Sequence, residues 1–297
     1  VKLTGYRSEA ALDFTGKEHV AVAAPTAIEI LADLLSQPEG SWALADGALA
    51  IARLESPQLD PAPVQQRLDR LGRIARERLG SAQHPRFAAA AISRVLFFEN
   101  SLRAPSDQQE RTTMSMIDSV LETGVGTPTL LAVIYIEVAR RAGLRFSSVA
   151  LPGRFLLRHD TADQYSLFDP QAAGKPIDLE ACRAIVSNHS GGKTEFREAF
   201  LRPLSNGQLL ARVISQLKAV YWRSSQHERA LTTVRMLLTI RPDDPREIRD
   251  QGRLYYLMNR LPEAIHAFEN YLHHNPRGED AEAVRMLLLE ARASLGS

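Results

Sequence analysis

The sequence predicts a mainly helical α+β protein: leading helices, a core of one buried helix on a short antiparallel sheet, and a C-terminal helical repeat array. Three observations carry this. Leu130 to Ala142 is apolar almost all round and closes at Gly143, as a buried central helix does. Immediately afterwards the period changes from helical to strand-like. Beyond Asn206 the chain repeats itself at an offset of 34 residues, a period that belongs to helix-turn-helix arrays.

Composition narrows the function classes. The 297 residues are 44% hydrophobic, which suits a globular chain with room for two domains. The 36 basic and 35 acidic side chains nearly cancel, so no overall field steers the protein toward nucleic acid or anionic lipid. No apolar run reaches the ~18 residues of a membrane span, and the opening residues lack the apolar stretch of a signal peptide. A cytoplasmic location is expected. The single cysteine, Cys182, permits no internal disulfide and no thiolate zinc cluster.

From Ala27 to about Ala104 helices alternate with turn residues, breaking at Pro38-Glu39-Gly40, from Ser56-Pro57 through Pro61, and around His84-Pro85. The clearest runs from Pro63 to Leu79. Val64, Leu68, Leu71, Ile74 and Ala75 fall at helical spacing, and Arg67, Arg70, Arg73, Arg76 and Arg78 fill much of the rest. Such a basic face is ordinarily solvated and does not by itself indicate nucleic acid. Met114 to Leu121 reads as another helix, stopped by Gly124 and Gly126. Thr127 then caps the central helix with its hydroxyl, and Pro128 suits the first helical position, where a missing N–H costs nothing.

Three strand-like segments follow: Phe146 to Leu151, Arg154 to Arg158 and Gln164 to Asp169, bounded by Pro152-Gly153, by Asp160 to Asp163 and by Pro170. A hairpin centred between Thr161 and Ala162 places Arg154 directly opposite Asp169. In the repeats, Ala230, Val234, Leu237, Leu238 and Pro242 recur as Ala264, Phe268, Tyr271, Leu272 and Pro276, and Tyr221 recurs as Tyr255. Gly252 occupies a position that favours a small residue for close helix packing; Lys218 stands there in the first copy, which is degenerate. Val284, Leu287, Leu288 and Ala291 mark a final helix covering the end of the stack. Two repeats alone are marginal, so the array is expected to lean on the preceding domain. The predicted organisation is an arm over 1–26, a core with its leading helices over 27–200, and repeats with a capping helix over 206–297.

The two-glycine approach, central helix and three strands resemble the core of the transglutaminase and papain-like superfamily. Within it the chain is most similar to the SirB-type bacterial family, in which a transglutaminase-like domain is joined to tetratricopeptide repeats. The residues that carry the resemblance are Ser115-Met116-Ile117-Asp118-Ser119-Val120-Leu121-Glu122, Gly126-Thr127-Pro128-Thr129-Leu130 and Tyr135-Ile136-Glu137-Val138-Ala139-Arg140-Arg141-Ala142-Gly143-Leu144. They continue with Leu151-Pro152-Gly153-Arg154-Phe155-Leu156-Leu157-Arg158 and Phe168-Asp169-Pro170.

The resemblance implies a cysteine at the N-terminus of the central helix, a nearby histidine and a carboxylate that orients it. Here the nucleophile position falls at Pro128, the histidine position at Arg154 and the carboxylate at Asp169. Proline has no reactive atom, and arginine stays protonated and cannot accept a proton as general base. The inherited mechanism is not expected to run. Arg154 has three readings: an ion pair with Asp169, a solvent-facing side chain, or capture of an anionic group such as a peptide C-terminus or phosphate.

Other chemistry finds little support. Thr127 and Thr129 flank the helix start without a base in the matching strand motif, and His159 lies too far along its strand to serve. Cys182 fits a small buried hydrophobe in a short helix. Gly191-Gly192-Lys193-Thr194 lacks the first glycine of a phosphate loop, since Ser187 stands there, and reads as a flexible loop. No metal-binding spacing is present and no cofactor is expected.

Tyr221, Tyr255, Phe268 and Leu272 are assigned to the core, and Arg253, Tyr256 and Asn259 to a concave binding face. The expected function is non-catalytic scaffolding or regulation, with another protein or a peptide as partner, neither nucleic acid nor membrane, and no oligomeric state implied. The alternatives are a residual amide-bond hydrolase or transferase with a noncanonical nucleophile, and a fold-only core that supports the repeats. A broad apolar interface between the two parts would favour the last.

Overall fold

The computed structural model describes residues 25–80, 85–105, 111–162 and 164–296. The arm expected over 1–26 lies, apart from its last two residues, outside the described residues. The leading helices are α1 (Ala27–Ser36), α2 (Leu44–Ala52), α3 (Pro61–Leu79) and α4 (Pro85–Ser93), the last continuing as a π-helical stretch over Arg94–Glu99. At α1 a capping box holds the start: Glu29 N donates to Thr26 Oγ1 at 3.2 Å and Thr26 N to Glu29 Oε2 at 2.8 Å. α3 begins two residues earlier than the apolar pattern indicates, because Asp60 Oδ1 accepts from Ala62 N at 2.9 Å and Pro61 takes the first helical position. Of its expected core face, Val64, Leu68, Leu71 and Ala75 are buried and Ile74 is partly so. Several of its arginines are engaged rather than merely solvated: Arg67 donates to Asn100, Arg76 to the Arg141 carbonyl and Arg78 to Glu99, at 2.7 to 2.8 Å.

α5 (Ile117–Thr123) ends at Gly124, whose left-handed φ of 76° closes the helix. α6 (Pro128–Arg141) is the central helix, with Leu130 through Tyr135 fully buried. Four antiparallel strands follow in sequence order: β1 (Ser147–Leu151), β2 (Arg154–Asp160), β3 (Tyr165–Asp169) and β4 (Lys175–Ile177). β4 is additional to the three expected strands. It is three residues long and contains Pro176, which an edge strand tolerates, and so carries almost no pattern in the sequence.

The β2–β3 register also differs from expectation. Asp160 pairs with Tyr165 and Leu157 with Phe168, which shifts the pairing by two residues and sets Arg154 diagonally from Asp169 rather than opposite it. The turn is longer than a tight hairpin because Thr161 ties it off, its N–H and hydroxyl both donating to the Gln164 carbonyl at 2.8 Å. A two-residue shift preserves the face of every side chain.

The sheet is covered on both sides. Phe146, Phe155, Leu157 and Phe168 join the main core with α6. Val149, Leu151, Leu156 and Leu167 form a second cluster with Cys182 and Val186 from α7 (Leu179–Ser190). Burial pushes the Cys182 thiol above its usual range, with Asp178 adding to it, so the residue behaves as a small hydrophobe. Gly191 and Gly192, both with positive φ, close α7 at its C-terminus; a phosphate loop would precede a helix instead.

The C-terminal array comprises α8 (Asn206–Arg223), α9 (His227–Ile240), α10 (Pro245–Leu257), α11 (Leu261–His274) and α12 (Ala281–Leu295). The expected repeat residues Ala230, Val234, Leu237, Ala264, Phe268 and Tyr271 are all buried. The array does lean on the core. One continuous apolar cluster runs from Trp42 through α6 into α8 and α11. Gly47 of α2 is seated so closely on Leu210 of α8 that an added Cβ would lie 2.2 Å from the leucine Cδ1. Polar ties complete the junction: Tyr221 donates to Glu55 at 2.7 Å, and Arg229 pairs with the same carboxylate at 2.8 Å. No helix among the described residues is long and apolar enough to cross a membrane.

Candidate functional site

The start of α6 is organised for structure. Thr127 Oγ1 accepts from Leu130 N at 3.3 Å, Thr127 N donates to the Met114 carbonyl at 2.8 Å, and the threonine is 1% exposed. Pro128 occupies the first helical position with no side-chain donor or acceptor. Thr127→Ala should cost about 1–2 kcal/mol, as loss of a buried N-cap does, and lower Tm by about 2–4 °C per kcal/mol in thermal unfolding, while Thr127→Ser retains most of it.

Arg154 and Asp169 meet as an ion pair, Nε to Oδ2 at 3.0 Å. The separation is short, but the Nε–H is not aligned for a hydrogen bond. The guanidinium is held instead by Nη1 donating to Gln171 Oε1, while Asp169 Oδ1 accepts from Gln171 N at 2.8 Å and Ala172 N at 3.3 Å. With Arg154 about one-third exposed, the pair contributes about 1 kcal/mol or less. By register both residues belong to the face that carries Leu151, Leu156 and Leu167, the side under α7. No hydrogen bond or ion pair among the described residues joins them to Thr127 or Pro128. Gln171 carried no motif of its own; it reaches Arg154 from the 3-10 turn Pro170–Ala172 that follows β3.

The array presents two clefts, each of ≈650 Å³. Neither is lined by Arg154 or Asp169. The first lies between α10 and α12 over Trp222 of α8, and it contains two of the three expected binding residues, Arg253 and Tyr256. The Arg253 guanidinium sits 5.4 Å from the Trp222 ring centroid, and the Tyr256 hydroxyl donates to Glu290 at 3.3 Å. The lip is apolar, with Leu257 and Met286 each 52% exposed. Asn259 is outside this lining. Its φ of 57° and its N–H bond to the Tyr256 carbonyl at 3.0 Å terminate α10, a conformation asparagine tolerates well. Asn259 is thus a turn residue, and Trp222, Leu257, Met286 and Leu287 were missed because groove-lining apolar residues share the helical spacing of core ones.

The second cleft lies between α8, the α9–α10 connection and the start of α6, where Thr129 lines it. Lys218 dominates its wall, donating to Glu247 at 2.8 and 2.7 Å and to Asp250 at 2.9 Å. The lysine at the degenerate repeat position therefore ties α8 to α10 by charge. Burial raises the Glu247 carboxyl above its usual range, with Asp250 and Asp244 adding to the effect and Lys218 opposing it.

The sequence pattern of the transglutaminase-like superfamily matches residues 62–215, and that of a tetratricopeptide repeat matches residues 217–289. A UPF0162 protein of Xylella fastidiosa (strain Temecula1) is 30% identical over 246 residues, covering 82% of this chain and 88% of its own. A UPF0162 protein of Vibrio cholerae is 24% identical over 82% of this chain and 90% of its own; the UPF0162 protein YchA of Escherichia coli K12 is 22% identical over 75% and 82%. Among solved structures, menin aligns at a TM-score of 0.40 and 12% identity over 88% of this chain and 73% of its own, too loose a likeness for functional comparison. The chain belongs to the transglutaminase-like superfamily as a relative of the UPF0162 proteins, with tetratricopeptide repeats following the transglutaminase-like domain.

Proposed function

We propose that the protein is a non-catalytic scaffold that holds a segment of a partner protein in the groove between α10 and α12, with the transglutaminase-like domain as its platform. The observation that carries this is the groove itself: a ≈650 Å³ cleft with an aromatic floor, an exposed Leu257 and Met286 at its lip, and Arg253 and Tyr256 to orient a polar backbone. The platform role is supported by the continuous apolar core that joins both parts. Against catalysis stand the side chains at the three inherited positions: proline, an arginine engaged with Gln171 and Asp169, and a carboxylate whose Oδ1 caps the following turn.

The test uses the full chain. Peptides selected on it from a random library of about ten residues, which extend to ~33 Å, are expected to bind saturably. Met286→Asp should weaken them about tenfold or more with Tm unchanged, since a charge at an apolar anchor costs binding rather than folding. Arg154→Ala should leave them unaffected. Equal binding to the Met286→Asp variant would remove the groove from the function. Ammonia release from glutamine peptides that Thr127→Ala abolished would overturn the non-catalytic assignment.

A further inference from the structure

The second cleft carries more positive charge than its own carboxylates can use. Arg212, Lys218, Arg241, Arg246 and Arg249 line it against Asp244, Glu247 and Asp250, an excess of two positive charges. Each carboxylate is already engaged. Glu247 and Asp250 are taken by Lys218, and Asp250 also by Arg249. Asp244, its side chain 9% exposed, is shared at 3.5 Å between Arg241 and Arg246, and its Oδ1 accepts from Arg246 N at 3.1 Å as the cap of α10. Arg212 has no carboxylate partner among the described residues. It lines the cleft, where partial loss of hydration and the neighbouring charge of Arg241 both press its guanidinium toward a lower pKa. Close by on the same stretch of α8, the Gln216 Oε1 atom is buried without a hydrogen-bond partner.

This cleft and the apolar groove share one wall residue, Arg249, which contacts Asp250 on one side and Asp280 on the other. They therefore form successive parts of one surface across α8, α10 and α12. Neighbouring helix axes lie about 10 Å apart, so the surface spans ~20 Å, the reach of about six extended residues.

We infer that this surface takes an extended acidic–apolar segment of a partner protein, with an Asp or Glu side chain on Arg212 and Arg241 and apolar side chains on Trp222, Leu257 and Met286. A guanidinium pair suits a carboxylate, which it can grip bidentately. Three carboxylates in the same cleft oppose a polyanion such as nucleic acid, whose binding needs many phosphate contacts. The inference rests on the groove being the binding surface and adds the chemistry of what binds there.

The test is again a random peptide library, with inserts of about ten residues carrying no free C-terminus, selected on the full chain. Enriched peptides should place Asp or Glu toward one end and apolar residues toward the other. Arg212→Ala should weaken an acidic peptide about tenfold, Arg212→Lys should recover part of this, and changing the peptide Asp to Asn should give the same loss in the wild type with no further loss in Arg212→Ala. Arg212 is an exposed side chain, so Tm serves as the control for folding. Apolar binders with no acidic bias, or acidic binders indifferent to Arg212, would overturn the inference and leave the groove standing. Absence of any saturable binder would overturn both.

Discussion

Replacing Arg141 with alanine is expected to destabilise the protein by about 3–5 kcal/mol, the usual consequence of removing one partner from a buried ion pair. Arg141 stands at the last turn of α6 with its side chain 10% exposed, and its Nη1 donates to Glu137, whose side chain is 1% exposed. Its Nε donates to Asp69 of α3 at 2.7 Å and its Nη2 to Gln65 of the same helix, so one guanidinium joins α6 to α3. Without it the Glu137 carboxylate keeps, among the described residues, the half-exposed Arg140 at 3.0 Å as its one charged partner. At about 2–4 °C per kcal/mol, Tm should fall by roughly 6–20 °C in a thermal melt. The paired change Arg141→Met with Glu137→Gln should recover much of the loss, because it leaves no buried charge uncompensated. A loss equally large in the double variant would show that packing, and not the stranded carboxylate, dominates.

Gly252→Val should collapse the second repeat. A Cβ at this position would lie 2.5 Å from Cδ1 and 2.6 Å from Cε1 of Phe268, a fully buried ring that holds α11 against α10. Overpacking of this kind costs about 1–3 kcal/mol for a single methyl-sized intrusion, and valine adds two further methyls. The helix-propensity gain on leaving glycine is at most ~1 kcal/mol and does not offset it. Hydrogen exchange should show lost protection across α10 to α12 while α6 keeps its own, and the selected peptides should lose binding because both walls of their groove move. Gly252→Ala combined with Phe268→Leu should be milder than the sum of the two single changes, since each relieves the other. Strict additivity would mean that glycine is kept there for another reason.

Much of this architecture was legible in the chain because it is local. The Thr127 cap and Pro128 start, the all-apolar α6 and the Gly124 stop each depend on residues within a few turns of one another, and the 34-residue spacing of Ala230, Val234 and Leu237 onto Ala264, Phe268 and Tyr271 repeats one such local pattern along the chain. That α6 opens on a proline, a side chain with no reactive atom, was likewise legible, because it is a matter of which residue stands at position 128. The Arg154–Asp169 contact was anticipated through a register two residues in error; it survived because such a shift preserves the face and long side chains reach the diagonal neighbour. Tertiary structure alone decided that Gln171 completes that contact, that Arg141 bridges α3 and α6, and that Asn259 ends a helix outside the groove containing Arg253 and Tyr256. It alone decided where the two clefts of the array lie too. Whether an apolar residue on a repeat helix becomes core, like Phe268, or lip, like Met286, depends on which neighbouring helix covers it, and sequence periodicity records a residue's angle around its own helix without recording what lies across from it.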